Sequence, residues 1–187
     1  MAGLELRLLR PRDLDALIDE EAFRKDEFIP YWAELWPSGR ALAEALEADV
    51  EGRVLELGCG LGVPSLVAAR RGAEVTAVDW STDAIEVLRR NAVRNRVRLE
   101  AEVVDWGTPQ RLVDRGPFDL VLAADVLYER RHVDPLIDLL PRLGTEVLLA
   151  DPGRQALEDF LEAAADQWDI QDVAPQVVRL RARRDDD

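Results

Sequence analysis

The chain has 187 residues, 48% of them apolar, and carries 38 acidic against 24 basic side chains, a formal net charge of −14. That length suits one domain with a proper core, expected to span 1–187, with 1–36 an N-terminal extension and 37–187 the core. The charge disfavours nucleic acid, whose phosphates bind Lys and Arg, and tolerates a basic partner; no apolar run approaches the ~20 residues that cross a bilayer.

In chain order, Met1 to Arg12 shows neither an apolar signal core nor a small-residue cleavage site, so a cytoplasmic setting is expected. Asp13 can cap a helix carrying Leu14, Leu17 and Ile18. Pro30-Tyr31-Trp32-Ala33-Glu34-Leu35-Trp36-Pro37-Ser38-Gly39 follows, aromatic and broken by proline. Trp32 and Trp36 read either as a hydrophobic plug at the edge of the core or as a lid over a ligand. Ser38 is a candidate cap for a helix with Leu42, Ala45 and Leu46 on its apolar side.

The chain is organised around Val54 to Asp79. Val54 to Leu57 has the look of a buried strand, and Gly58, Gly60 and Gly62 follow at alternate positions. Glycine turns sharply at positive φ and leaves no Cβ to hold a ligand off the backbone. Pro64 to Arg71 reads as a helix with Gly72 after it, and Val75 to Val78 as a second strand ending in Asp79. This is a βαβ nucleotide-binding unit with a ribose-binding carboxylate about 20 residues past the first glycine. Val63 stands where the third glycine of a dinucleotide loop belongs, so NAD is disfavoured. The loop instead reads acid-x-G-x-G-x-G, beginning at Glu56. Cys59, the single cysteine, excludes an internal disulfide and reads as a small buried residue.

Beyond Asp79, Ser81 or Thr82 can cap a helix with Ile85, Leu88 and Ala92 on one face. Leu99 to Val104 is a third strand ending in Asp105-Trp106, and Phe118 to Ala124 is a nearly continuous apolar run, as expected of a covered central strand. Asp125-Val126-Leu127-Tyr128 leads into a helix with Val133, Leu136, Ile137 and Leu140. Glu146 to Ala150 is a fifth strand, broken by Asp151-Pro152-Gly153-Arg154; Leu157, Phe160, Leu161 and Ala164 mark the next helix. Asp169 to Arg183 holds two strand-like runs about Ala174-Pro175, plausible as a hairpin, before a charged tail. The alternation predicts an α/β, doubly wound sheet, in which ligands bind beyond the strands' C-terminal ends.

Those ends carry acids and aromatics. Asp79 can accept both ribose hydroxyls and Asp105 an adenine amino group, while Trp80 or Trp106 offers a stacking face. Glu56 either meets the cofactor or anchors the turn. His132, the only histidine, stands beside Arg130 and Arg131 at a helix start, where a surface role is favoured over general base. No cluster of His, Cys and carboxylates has metal-ligand spacing, so no metal is expected.

The loop from Glu56 to Gly62 with Asp79 resembles motif I of the class I S-adenosylmethionine methyltransferases. The Asp125-x-x-Tyr128 motif is similar to the hallmark of the seven-strand protein lysine methyltransferases. The stretch P-Y-W-A-E-L-W-P-S-G-R-A-L and the later D-P-G-R at 151–154 resemble the electron-transfer-flavoprotein β-subunit lysine methyltransferases and their bacterial relatives. This chain reads A-D-V-L-Y-E where bacterial relatives often carry G-D-x-C/F-Y-E. The resemblance implies a Rossmann-like, mostly parallel seven-stranded sheet of order 3-2-1-4-5-7-6 with helices on both faces. It implies S-adenosyl-L-methionine as cofactor, held by Trp36, Glu56, Gly58, Gly60, Asp79, Trp106 and Ala124; Cys59 of the same loop and Trp80 and Asp105 at the strand ends complete the expected cofactor-binding residues. Asp125 and Tyr128 then line the methyl-transfer channel. The implied partner is a lysine-bearing protein, with the electron-transfer flavoprotein β subunit as one candidate. A small amine is the alternative acceptor, and a non-catalytic cofactor-binding protein the third reading. A monomer is expected.

Overall fold

The computed structural model describes residues 5–12, 30–46 and 50–183. The helix expected after Asp13 and the tail from Arg184 lie outside the described residues. A 3-10 turn over Tyr31–Ala33 precedes α1 (Pro37–Ala45). The chain then alternates through β1 (Arg53–Leu57), α2 (Val63–Arg70), β2 (Glu74–Asp79), α3 (Thr82–Asn95), β3 (Glu100–Val103), α4 (Gln110–Val113) and β4 (Leu120–Ala124). A second 3-10 turn, Arg130–His132, leads into α5 (Val133–Leu143), β5 (Glu146–Ala150) and α6 (Gln155–Ala164). The hairpin β6 (Trp168–Ala174) and β7 (Val177–Ala182) ends the sheet, whose order is β3-β2-β1-β4-β5-β7-β6, as the resemblance implied.

Strands β1 to β5 run parallel, and β7 lies antiparallel between β5 and β6. The order reverses between β1 and β4, so the chain leaves these neighbours toward opposite sides and opens a crevice at their C-terminal ends. Alternation along the strands feeds two cores. Leu55, Leu57, Val121 and Ala123 face α5 and α6, with Phe160 and Trp168 wholly buried among them. Val54, Val75, Leu122 and Leu148 face the other way, onto α1 and α2. Leu66 of α2 meets Ile85, Leu88 and Ala92 of α3 in an adjoining cluster.

Local chemistry sets the element ends. Ser81 caps α3, accepting the Ala84 N–H at 3.3 Å. Ser38 does not cap α1: Pro37 takes the first helical position, where its missing N–H costs nothing, and Ser38 is drawn into the helix and buried. Gly62 sits at φ +76° ahead of α2, and a Cβ there would come within 2.2 Å of Leu88 Cδ1, so the third loop glycine is required by helix packing. The four-residue α4 gives no periodic signal in the sequence and was not anticipated. The segment 5–12 is tied to α3 by two asparagines. Asn95 exchanges hydrogen bonds with the Arg7 backbone at 2.9 and 3.0 Å, and Asn91 with that of Leu9 at 2.6 and 3.2 Å.

Candidate active site

The crevice opens into a cleft of about 940 Å³, within the range of small-molecule sites. Its floor is the turn from Gly58 to Gly62, and its rim takes residues that follow β2, β3, β4 and β5. The aromatic segment closes one side. A Cβ on Gly60, which is at φ +48°, would meet the Trp32 carbonyl oxygen at 3.1 Å, so the loop needs glycine for that segment to lie on it. Trp32 is buried beside Ala33 and Ala84, as a plug would be, and Trp36 is half-buried; both line the cleft. The Trp36 indole N–H donates to the Tyr31 carbonyl at 2.8 Å.

Glu56 lies mid-strand between Ala77 of β2 and Leu122 of β4, and alternation turns it toward α2. Its Oε2 accepts the Ser65 N–H at 2.9 Å and the Ser65 hydroxyl. It therefore anchors the first turn of α2 and also lines the cleft. Burial pushes its carboxyl up to about 8, against the Ser65 hydrogen bonds that pull it down; the nearby Asp79 charge adds to the rise. Asp79 accepts the Gly60 N–H on Oδ2 and the Ser81 N–H on Oδ1, both at 2.9 Å. Burial raises this carboxyl as well, and the backbone N–H groups of Ser81, Gly60 and Trp80 hold it down. Cys59 is buried and its thiol is pushed well up by burial, so it offers backbone and bulk but no thiolate.

Asp105 is exposed on the rim, its Oδ1 accepting the Gly107 N–H at 2.8 Å. Trp80 is 55% exposed beside Asp79. Trp106 is half-buried and reaches over Gly58, where a Cβ would lie 3.8 Å from its ring. Ala124 ends β4, and the next residue bends the chain into the site: Asp125 has φ +57°, a left-handed conformation uncommon outside glycine. Its N–H still donates to Ala150 O at 2.9 Å. Asp125 Oδ1 accepts from Arg154 Nη1 at 2.7 Å, and the same nitrogen reaches Asp151 Oδ2 at 2.8 Å. Asp151 Oδ1 in turn accepts the Gly153 and Arg154 N–H groups at 2.9 and 2.8 Å, fixing the loop that aims Arg154. Burial pulls the Arg154 guanidinium down, but its bonds to Asp125 and Asp151 outweigh that and raise it. Asp125 Oδ2 is buried and accepts no hydrogen bond from the described residues.

Rings continue from Asp125 along the wall. Tyr31 lies 6.1 Å from Trp36 and 5.0 Å from Tyr128; His132 lies 4.6 Å from Tyr128 and 5.9 Å from Trp106, edge-on to both. Burial raises the Tyr128 phenol, which keeps its proton at neutral pH. All twelve residues singled out from the sequence, Trp36, Glu56, Gly58, Cys59, Gly60, Asp79, Trp80, Asp105, Trp106, Ala124, Asp125 and Tyr128, line this one cleft. The sequence reading passed over two others. Arg154 was read as part of a loop motif, and only folding brings it onto Asp125. His132 was assigned to the surface from its arginine neighbours, yet it lines the cleft.

The cleft fits S-adenosylmethionine. Asp79 sets a carboxylate at the cleft for the ribose, and carboxylates and ring faces suit a sulfonium cation. The fold and cleft define a Rossmann-like methyltransferase architecture. A putative RNA methyltransferase from Pyrococcus horikoshii shares it at TM-score 0.64, with 16% identity over 83% of this chain and 89% of that one. A T. thermophilus 16S rRNA methyltransferase in complex with AdoMet and guanosine shares it at TM-score 0.63, with 21% identity over 80% of this chain and 44% of that one. The lysine methyltransferase family model matches residues 32–164, and the chain belongs to that family. It is 38% identical over 136 residues to the electron transfer flavoprotein beta subunit lysine methyltransferase of Xenopus laevis, covering 67% of this chain and 53% of that protein. It is 32% identical over 154 residues to protein N-lysine methyltransferase METTL21A of Danio rerio, covering 75% and 70%. The chain thus spans about half the length of the flavoprotein-subunit methyltransferases of Xenopus laevis and Danio rerio that it matches.

Proposed function

We propose that this protein transfers a methyl group from S-adenosylmethionine to the ε-amino group of a lysine on a protein substrate, with residues 1–187 acting as a single unit. The observation that carries the reading is the acid-rich, ring-lined cleft at the sheet's reversal point. Five carboxylates (Glu34, Asp79, Asp105, Asp125 and Glu129), the buried carboxyl of Glu56 and two guanidiniums (Arg131 and Arg154) line it. That balance suits cationic ligands.

When bound, S-adenosylmethionine supplies an activated methyl group on a positively charged sulfur. The chain's own residues do the rest by positioning and by excluding water, effects that together are worth ~7–11 kcal/mol when the geometry is right. Asp79 accepts the ribose hydroxyls, and Asp105 accepts from the adenine amino group. Trp80 or Trp106 gives adenine a stacking face. Gly58, Cys59 and Gly60 run their backbone along the methionine part, flanked by Glu56, Trp36 and Ala124. Asp125 and Tyr128 line the lysine channel. Arg154 neutralises one face of Asp125, whose remaining charge at the cleft favours the arriving ammonium. Tyr128 and Tyr31 form a dry wall for the methylene stem.

The names of the flavoprotein-subunit relatives make the electron-transfer flavoprotein β subunit the first substrate to try. The protein is taken to act as a cytoplasmic monomer; among the described residues no helix is long and apolar enough to cross a membrane. The test is incubation with radiolabelled S-adenosylmethionine and fractionated lysate, with purified flavoprotein β subunit in parallel. Label in protein bands is expected. Label in small molecules alone points to a small-amine methyltransferase, and no transfer despite cofactor binding points to a non-catalytic protein.

A further inference from the structure

We propose that His132 takes the proton from the incoming lysine ammonium, an inference that rests on the lysine-methylating function proposed above. A lysine near its ordinary pKa of about 10.4 arrives protonated and has no lone pair to attack with. That proton must leave before attack.

His132 ends the 3-10 turn Arg130–His132 and precedes α5, which folds its ring back against the β4 end. Its Nδ1 lies 3.0 Å from the Val126 carbonyl oxygen. A carbonyl only accepts, so Nδ1 carries the hydrogen and Nε2 presents a bare lone pair. Tyr128 and Trp106 meet the ring edge-on, at 4.6 and 5.9 Å. The ring lines the same cleft as Asp125 and Tyr128. It is half-buried, so its other side remains open to water.

The neighbouring groups are less suited. Tyr128 holds its own proton, and Arg131 and Arg154 have no acceptor. Arg154 bonds one oxygen of Asp125 and the other is buried, and Glu129 pairs with Arg131 at 2.8 Å. Asp105, beside Trp106, accepts from its own loop. Arg130 pairs with Asp159 of α6 at 3.1 Å. Tyr31 and Glu34 face the cleft from the aromatic segment, and Asp134 follows on α5. Burial holds the imidazole below its usual range, against the Val126 carbonyl and Glu129, which raise it. It is therefore neutral at pH 7. In the step, an Nζ–H bond breaks and an Nε2–H bond forms, leaving the electron pair on Nζ for attack. The imidazolium then gives its proton to solvent.

As the chain holds one histidine, its ring nitrogens give an unambiguous ¹⁵N NMR signature. The expected result is the Nδ1–H tautomer, titrating below 6.5. An Nε2–H tautomer would overturn the proposal. In parallel, initial rates of label transfer to lysate protein are measured from about pH 6 to about pH 9 for wild type, His132→Gln and His132→Ala. Loss of a general base typically costs ~10²–10⁴-fold. His132→Gln should lose at least tenfold in kcat/KM at pH 7, less at pH 9, and imidazole should restore part of the His132→Ala rate, with S-adenosylhomocysteine affinity unchanged. Wild-type rates in His132→Gln, or a loss that is equal at every pH and unresponsive to imidazole, overturn the assignment alone. A wild type that labels no protein lysine overturns the proposed function and this inference with it.

Discussion

Replacing Glu56 with Gln separates burial from charge beneath the cofactor loop. The carboxyl is wholly buried in the sheet, and its pKa rises from 4.5 to about 8. At about 1.4 kcal/mol per pKa unit, keeping it ionised in the fold costs roughly 5 kcal/mol. A carboxyl raised in this way favours the folded state while it is protonated. Its contribution is full below pH 4.5, declines as the pH rises, and is lost near pH 8. The amide of the Glu56→Gln variant never ionises, and its carbonyl oxygen can still accept the Ser65 N–H and hydroxyl. The two proteins should therefore melt together near pH 5 and diverge above it, the variant being the more stable at pH 8–9. Each kcal/mol moves Tm by about 2–4 °C in a domain of this size, so even a fraction of the full difference is readable by thermal unfolding without ligand. Parallel Tm curves with a constant offset would refute the reasoning, because Glu56 would then be ionised throughout.

Asp79→Ala leaves two ribose hydroxyls without acceptors and should weaken S-adenosylhomocysteine binding by ~1–3 kcal/mol in calorimetry; unchanged affinity would reduce Asp79 to a brace for Gly60 and Ser81. Trp106→Ala should also weaken binding through lost ring burial, measured in the same titration. Arg154→Met removes the cation between Asp125 and Asp151 and leaves two buried carboxylates facing each other. A loss of ~3–5 kcal/mol is expected in chemical denaturation, and a loss below about 1 kcal/mol would show the triad to be incidental. NAD should not stabilise the fold, because Val63 replaces the glycine that its pyrophosphate site requires, whereas S-adenosylhomocysteine should.

How much the sequence revealed depended on whether the signal was local. Short apolar runs located the strands, and Gly58, Gly60, Gly62 and Asp79 located the crevice, because turn conformation and spacing are written in adjacent residues. The strand order came through resemblance. His132 is half-buried and lines the cleft beside the exposed Arg130 and Arg131, because the left-handed bend at Asp125 and the 3-10 turn direct its ring inward, and no period encodes that. Arg154 meets Asp125 only because β4 and β5 are adjacent in the sheet. The Ser38 cap failed because Pro37 competes for the same helix start.

The central claim is that the cleft directs a protein lysine, through Asp125 and Tyr128, onto the cofactor's methyl group. Its most direct test is mass mapping of methyl groups placed on substrate protein by wild type and by Asp125→Asn, with S-adenosylhomocysteine affinity measured alongside. The expected result is methylation at lysine ε-nitrogen by the wild type. Asp125→Asn should show a strong loss of turnover at nearly unchanged cofactor affinity, and wild-type turnover should fall with added salt, as exposed charges are screened over ~10 Å at 0.1 M. Methyl groups found on carboxylates or nucleic acid, or an Asp125→Asn variant with full activity, would contradict it.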